Sequence, residues 1–169
     1  MALIDIILLV ILGGFVLSGL WFGFIHTFGS LIGIIAGAWV AGNYFSVVAD
    51  YGSFIWGDGD LGAVISFVLI LVIVNRLVGL LFYFFDRIFD IISIIPFLTS
   101  INRLLGGLAG FLEGMFTIGL VLFFIARYPL GDWVTGQLVS SRLAGWFVDA
   151  ASFLAPLLPA VLKQLQSVI

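Results

Sequence analysis

The chain has 169 residues, 63% of them hydrophobic and 9% charged, with a net charge of −3 and a mean hydropathy of +1.35. An ordinary soluble domain carries roughly 25% charged residues, so a water-soluble fold of this size has too little polar surface to cover its apolar side chains. Six Lys and Arg, none before Arg76, exclude the clustered basic face that nucleic acid requires. The absence of cysteine excludes disulfides and thiolate chemistry, and one histidine excludes a multi-histidine metal site.

The expected fold is an all-α integral membrane protein with about four transmembrane helices and a C-terminal amphipathic tail, divided as 1–128 and 129–169. The first span is 6–24. It has no basic n-region and carries Asp5 ahead of it, so it is expected to be retained and not cleaved as a signal. Gly23 to Thr27 is too short for a roomy loop, which predicts a tight hairpin into the second span, 28–48. Asn43, Tyr44 and Asp50 are expected to end that span.

A connector is expected from Ala49 to Asp60. Its Gly57-Asp58-Gly59-Asp60 string reads as a turn, since a calcium loop needs further oxygen ligands at fixed spacing. The third span is 61–85. A second connector, Asp86 to Ser100, has an Ile91 to Ile95 run apolar enough to lie in the interface, and the fourth span is 104–125, stopped by Arg127, Tyr128 and Pro129.

In the tail, Thr135, Arg142 and Asp149 recur every seven residues as a polar stripe. Leu158, Val161, Leu162, Leu165 and Val168 then form an apolar helical face. Both pieces read as interfacial helices or as covers packed on the bundle or on another subunit. The basic residues Arg87 and Arg103 flank the connector after the third span, which places it inside and both termini outside.

Small residues recur every four positions at Gly29, Gly33, Gly37 and Ala41, and again at Gly106, Gly110 and Gly114, with Gly19 and Gly23 closing the first span. Such spacing makes smooth helix faces on which backbones can approach closely in lipid. The second and fourth helices are therefore expected to meet protein, and the third, with only Gly79 in its bulky run, to be the most lipid-exposed. The match of residues 30–37 with 107–114 is open to two readings, a repeated hairpin of parallel sense or convergence on a packing motif. Glycine faces on two helices also favour a homo-oligomer.

Charge within a span costs ~2.5–3.5 kcal/mol on insertion scales, so ionisable residues there are candidate sites. Glu113 leads, beside the glycine face of the fourth span, and suits either a proton or cation site or a neutral acid bonded across helices. Arg76, next to Asn75, is expected to snorkel toward the cytoplasmic surface or to pair with Asp86 or Asp90. Asp5 and Arg103 stand at span ends as boundary markers or polar sites. His26 and Ser30, four apart, raise an intramembrane hydrolase, although nothing supplies an oxyanion hole. No catalytic set, metal site or cofactor is expected: phosphate loops and dinucleotide fingerprints are absent.

Ile4-Asp5-Ile6-Ile7, Gly19-x-x-x-Gly23, the small-residue face of the second span and Asn102-Arg103-Leu104-Leu105-Gly106-Gly107-Leu108-Ala109-Gly110 followed by Gly114 resemble, in order and spacing over about Met1 to Ala126, the colicin V production protein (CvpA) family. The chain departs from that pattern at Leu20 to Phe22 and at Glu113, where basic residues are usual, and at Asn102, where the pattern has Asp. The resemblance implies an inner-membrane protein linked to bacteriocin production and secretion and to envelope homeostasis. It settles no biochemical activity, and the expected role is a non-enzymatic accessory or scaffold beside other envelope or secretion proteins. Intramembrane charges make an oligomeric channel or transporter the alternative.

Overall fold

The computed structural model describes residues 3–56, 59–90, 96–128 and 130–157, with side chains for all of these but 56, 85–90, 96–99 and 155–157. Four long helices, α1 (Leu3–Phe22), α2 (Phe24–Trp56), α3 (Asp60–Asp90) and α4 (Pro96–Ile125), precede two short ones, α5 (Asp132–Ser140) and α6 (Arg142–Ala151), and a final 3₁₀ turn at Ser152–Leu157. No strand occurs among the described residues. All four long helices are apolar enough to cross a bilayer. Large apolar side chains such as Trp21, Phe54 and Leu104 point outward, an exterior suited to lipid and not to water. The protein is an all-α membrane protein.

One residue separates α1 from α2. Gly23 sits at φ 85°, a left-handed conformation that a side chain resists. Its N–H still donates to the Gly19 carbonyl at 2.9 Å, while its own carbonyl accepts from the Thr27 N–H at 3.2 Å and the Thr27 hydroxyl at 2.8 Å. The first N–H of α2, at Phe24, donates to the Asn102 side-chain oxygen on α4 at 3.0 Å. A helix start normally leaves that donor unsatisfied; here a residue 78 positions away caps it.

The helices run longer than hydropathy predicts. α2 continues through most of the expected 49–60 connector, because Asn43 donates to the Trp39 carbonyl at 2.7 Å and so serves its own helix, while Tyr44 and Asp50 lie on exposed positions that burial does not penalise. α3 starts at Asp60, where an acid suits the helix N-terminus, and runs to Asp90. α4 starts at Pro96, whose missing N–H costs nothing in a first turn. The Gly57-Asp58 part of the predicted turn, the Ile91–Ile95 run and the apolar face from Leu158 to Val168 lie outside the described residues.

α4 sits between the others. Contacts of Gly23 with Asn102, Gly19 with Gly106, Phe15 with Gly110 and Leu12 with Gly114 make α1 antiparallel to α4. Gly29 against Phe82, Gly33 against Asn75 and Gly37 against Leu71 make α3 antiparallel to α2. α2 and α4 run parallel, joined through Phe45 and Phe124. The second helix of each hairpin thus receives the first helix of the other on its glycine line, the pairing a two-fold exchange of 3–56 with 60–125 produces.

Both glycine faces meet protein, as expected, but the most outward-turned span is α1, with 22% of its apolar window buried against 28% for α3. The expectation for α3 fails because a smooth face needs large knobs opposite it. Phe82, Asn75 and Leu71 fill the α2 groove, whereas α1 packs closely on α4 and only lightly on α2, α5 and α6. Since α1 and α3 of the same chain occupy these lines, the glycines offer no open face to a second copy.

The predicted polar stripe of the tail is broken. Ser141, extended at φ −91° and ψ 122°, divides it into two helices. α6 buries Ala144, Phe147 and Ala151 on one face and lays the Phe147 backbone against Gly119 of α4. Residues 132–151 therefore include a cover packed on the bundle.

Candidate functional site

Glu113 is buried, 8% exposed, and turns toward α2 and α3. Ser30 of α2 and Asn75 of α3 hydrogen-bond to its carboxyl through their side chains, and the Arg76 charge acts on it. Gly33 and Gly79 make this possible: the first lets Asn75 close on α2, and the second leaves the Ser30 hydroxyl room beside α3. The Asn75 carbonyl oxygen is itself buried without a hydrogen-bond partner, as are the hydroxyls of Ser66 and Thr117. Unpaired acceptors of this kind are rare in packed interiors and mark places where something else can bind.

Beside this group lies a cavity of 320 Å³ lined by Phe22, His26, Ser30, Asn75, Arg76, Gly79, Leu80 and Tyr83. It begins at the level of the α1–α2 turn, where His26 packs on Phe22 at 4.9 Å and meets Tyr83 edge-on at 6.2 Å. It ends at the two residues that bond Glu113. At the far end of the same helix pair is a second recess of 270 Å³, lined by Phe45, Ser46, Ala49, Asp50, Gly59, Gly62, Ala63 and Tyr128. Burial, then the nearby Asp60, pushes the Tyr128 phenol up, so it stays protonated at neutral pH.

Between the two recesses is packed aromatic side chain. Phe67 stacks on Phe124 at 4.1 Å, Phe124 on Tyr128 at 4.8 Å, and Phe45 meets Phe124 edge-on at 4.9 Å. Phe67 and Phe124 are fully buried, with Ile34, Leu71 and Leu120 around them. A third cavity of 430 Å³, between α1, α3, α4 and α5, is lined almost wholly by apolar residues such as Ile7, Leu8 and Leu71.

The four predicted polar positions separate. Glu113 and Arg76 share the site, where the Arg76 charge acts on the acid of α4; the side chains of Asp86 and Asp90 lie outside the described residues. Arg103 is exposed, ten residues from Glu113 on the same helix, or ~15 Å along its axis. Asp5 is buried near the start of α1, and its carboxylate accepts a hydrogen bond from the Ser141 hydroxyl. Ser141 accepts in turn from the Ala144 N–H at 3.0 Å, so one serine caps α6 and ties it to α1. Neither contact was legible in the sequence, where Asp5 reads as a boundary marker and Ser141 as one of several tail polar residues. In the sequence Asn102 stands out only as a departure from Asp, although an acceptor at that position is what the α2 terminus uses.

His26 and Ser30 do line one cavity, but Ser30 is engaged with Glu113. Among the described residues, no group of three or more His, Cys, Asp or Glu is arranged to hold a metal. Comparison with curated proteins and with solved structures returns no match. The family described as Colicin V production protein matches residues 4–152, which span all four apolar helices, the Asp5–Ser141 tie and the α6 cover, and the chain belongs to that family.

Proposed function

We propose that the protein is a non-enzymatic accessory of the bacterial inner membrane that serves production and secretion of colicin V-type bacteriocins and envelope homeostasis. The observation that carries this reading is the family match over residues 4–152. Packing supports it: Glu113 with Ser30 and Asn75, and Asp5 with Ser141, are bonded across helices, as in a scaffold held by interhelical hydrogen bonds. In this reading both termini face outward from the cytoplasm, and the α1–α2 turn and Arg103 face the cytoplasm. Any homo-oligomer or contact with other envelope proteins uses faces other than the glycine lines.

A second reading, a channel or transporter, is favoured by one observation: an acid buried across from a cation at the end of a polar recess. One experiment separates the two. In a colicin V-exporting host whose own copy is deleted, wild type is expected to restore bacteriocin in the medium. Glu113→Gln restores it equally if the role is a scaffold, and loses it, with normal protein level, if conduction is the role. Unchanged export after the deletion removes the accessory reading altogether.

A further inference from the structure

We propose that Glu113 is a proton-binding site served from one face of the membrane only. Access runs through the recess lined by His26, Ser30, Asn75, Arg76 and Tyr83, and the Phe45–Phe124–Phe67–Tyr128 stack closes the other side. The inference deepens the second reading above and rests on it for its purpose, though not for its test.

The recess has a volume of 320 Å³, far above the ~10–15 Å³ that admits one water, and its polar side chains give waters the two to four partners they need. One end is lined by Phe22 and His26, which flank the α1–α2 turn at Gly23. Its inner wall is Ser30 and Asn75, and both bond Glu113. The Ser30 hydroxyl, between water and acid, makes a short relay, and the Asn75 amide donates to the carboxyl without passing the proton. Glu113 takes a proton from a hydronium in the recess, leaving water, and gives it back by the same route; only O–H bonds form and break.

The ligand is a proton and not a metal cation because the Arg76 charge already acts on the same carboxyl. Its fixed positive charge opposes a second full cation, while a neutral acid needs no coordination shell. The other titratable groups lining this recess are His26 of α2 and Tyr83 of α3, and Arg76 of α3 is its fixed charge.

The opposite recess ends at Phe45, Ala63 and Tyr128. From Phe45 to Ser30 is 15 residues of α2, or ~22 Å. Much of that length is filled by the fully buried side chains of Ile34, Ala38, Phe67 and Leu71.

The chain has no cysteine, so single thiols report access without background. Full-length protein in sealed vesicles of both orientations is treated with a hydrophobic carbodiimide, which adds to a protonated carboxyl, and with a membrane-impermeant methanethiosulfonate. The expected adduct lies on Glu113, its rate falling about tenfold per pH unit on the alkaline limb, and disappears in Glu113→Gln. Ser30→Cys, and Gly79→Cys as a second reporter where a Cβ meets only ordinary contact, should react solely from the face bearing the α1–α2 turn. Ala49→Cys should react solely from the other, and adding Phe67→Ala should open Ser30→Cys to both. No adduct on Glu113 in protein that stays monodisperse, or modification of both recess thiols from the opposite face or from neither, overturns the proposal. An adduct without proton flux in proteoliposomes sinks the transport reading and leaves this one standing; flux without an adduct does the reverse.

Discussion

The α1–α4 and α2–α3 seams use the same four-residue glycine spacing to different ends. In the first, backbone meets backbone: Gly19 lies on Gly106, and Gly110 on the Phe15 carbonyl. In the second, glycines accept side chains, Phe82, Asn75 and Leu71. Backbone atoms cannot step aside, whereas side chains can turn, so the first seam is a rigid weld and the second a fitted joint with room for polar chemistry. Asn75, Ser30 and the recess beside Glu113 all sit at the second seam, and the aromatic closure lies farther along the same pair of helices.

The sharpest way to break that contrast is Gly106→Leu. Its side chain would enter the Gly19 and Gly23 backbone, and the expected loss exceeds ~4 kcal/mol, the range reached only when packing fails outright. Unfolding in mixed micelles, followed by circular dichroism, should find no cooperative transition; a stable variant would show that the seam is not a weld.

Next in size is Ser141→Ala, which removes both the α6 cap and a hydrogen bond to buried Asp5. The expected cost is about 1–3 kcal/mol from a lost cap and a lost hydrogen bond to a carboxylate. Hydrogen exchange should show it as faster opening of α6 with α1 to α4 unchanged.

Asn102→Ala is expected to cost about 1 kcal/mol by uncapping α2, while Asn102→Asp, which keeps an acceptor, recovers it. Equal thermal midpoints for the Ala and Asp variants would remove the cap from the account. Smallest is the alanine series on the fitted joint. Gly37→Ala meets the Leu71 methyl at 3.0 Å and its carbonyl oxygen at 3.1 Å, and Gly79→Ala meets only the Ser30 hydroxyl at 3.5 Å. Gly79→Ala should stay within about 0.5 kcal/mol of wild type and Gly37→Ala should fall below it; the reverse order in a denaturation titration would contradict the geometry.

The sequence by itself determined the membrane class, the number of long apolar helices, the tight α1–α2 hairpin and the two helices whose small residues meet protein. Each follows from composition or from a period along one chain segment, and such properties survive without knowledge of any neighbour. Family membership was legible for the same reason, since its motifs are local strings in order.

The tertiary structure alone decided what stands opposite. Glycine spacing says that a helix can be approached but not by which helix, so the pairing of α4 with α1 and of α2 with α3, and the outward exposure of α1, could not be read. Hydropathy marks Asn43 and Asp50 as interruptions, but only the side to which they turn decides whether a helix ends there. The Glu113 group draws on residues 30, 75, 76 and 113, and the Asp5–Ser141 tie spans 136 positions. Burial makes each of these polar groups need a partner, and only the folded chain supplies its identity.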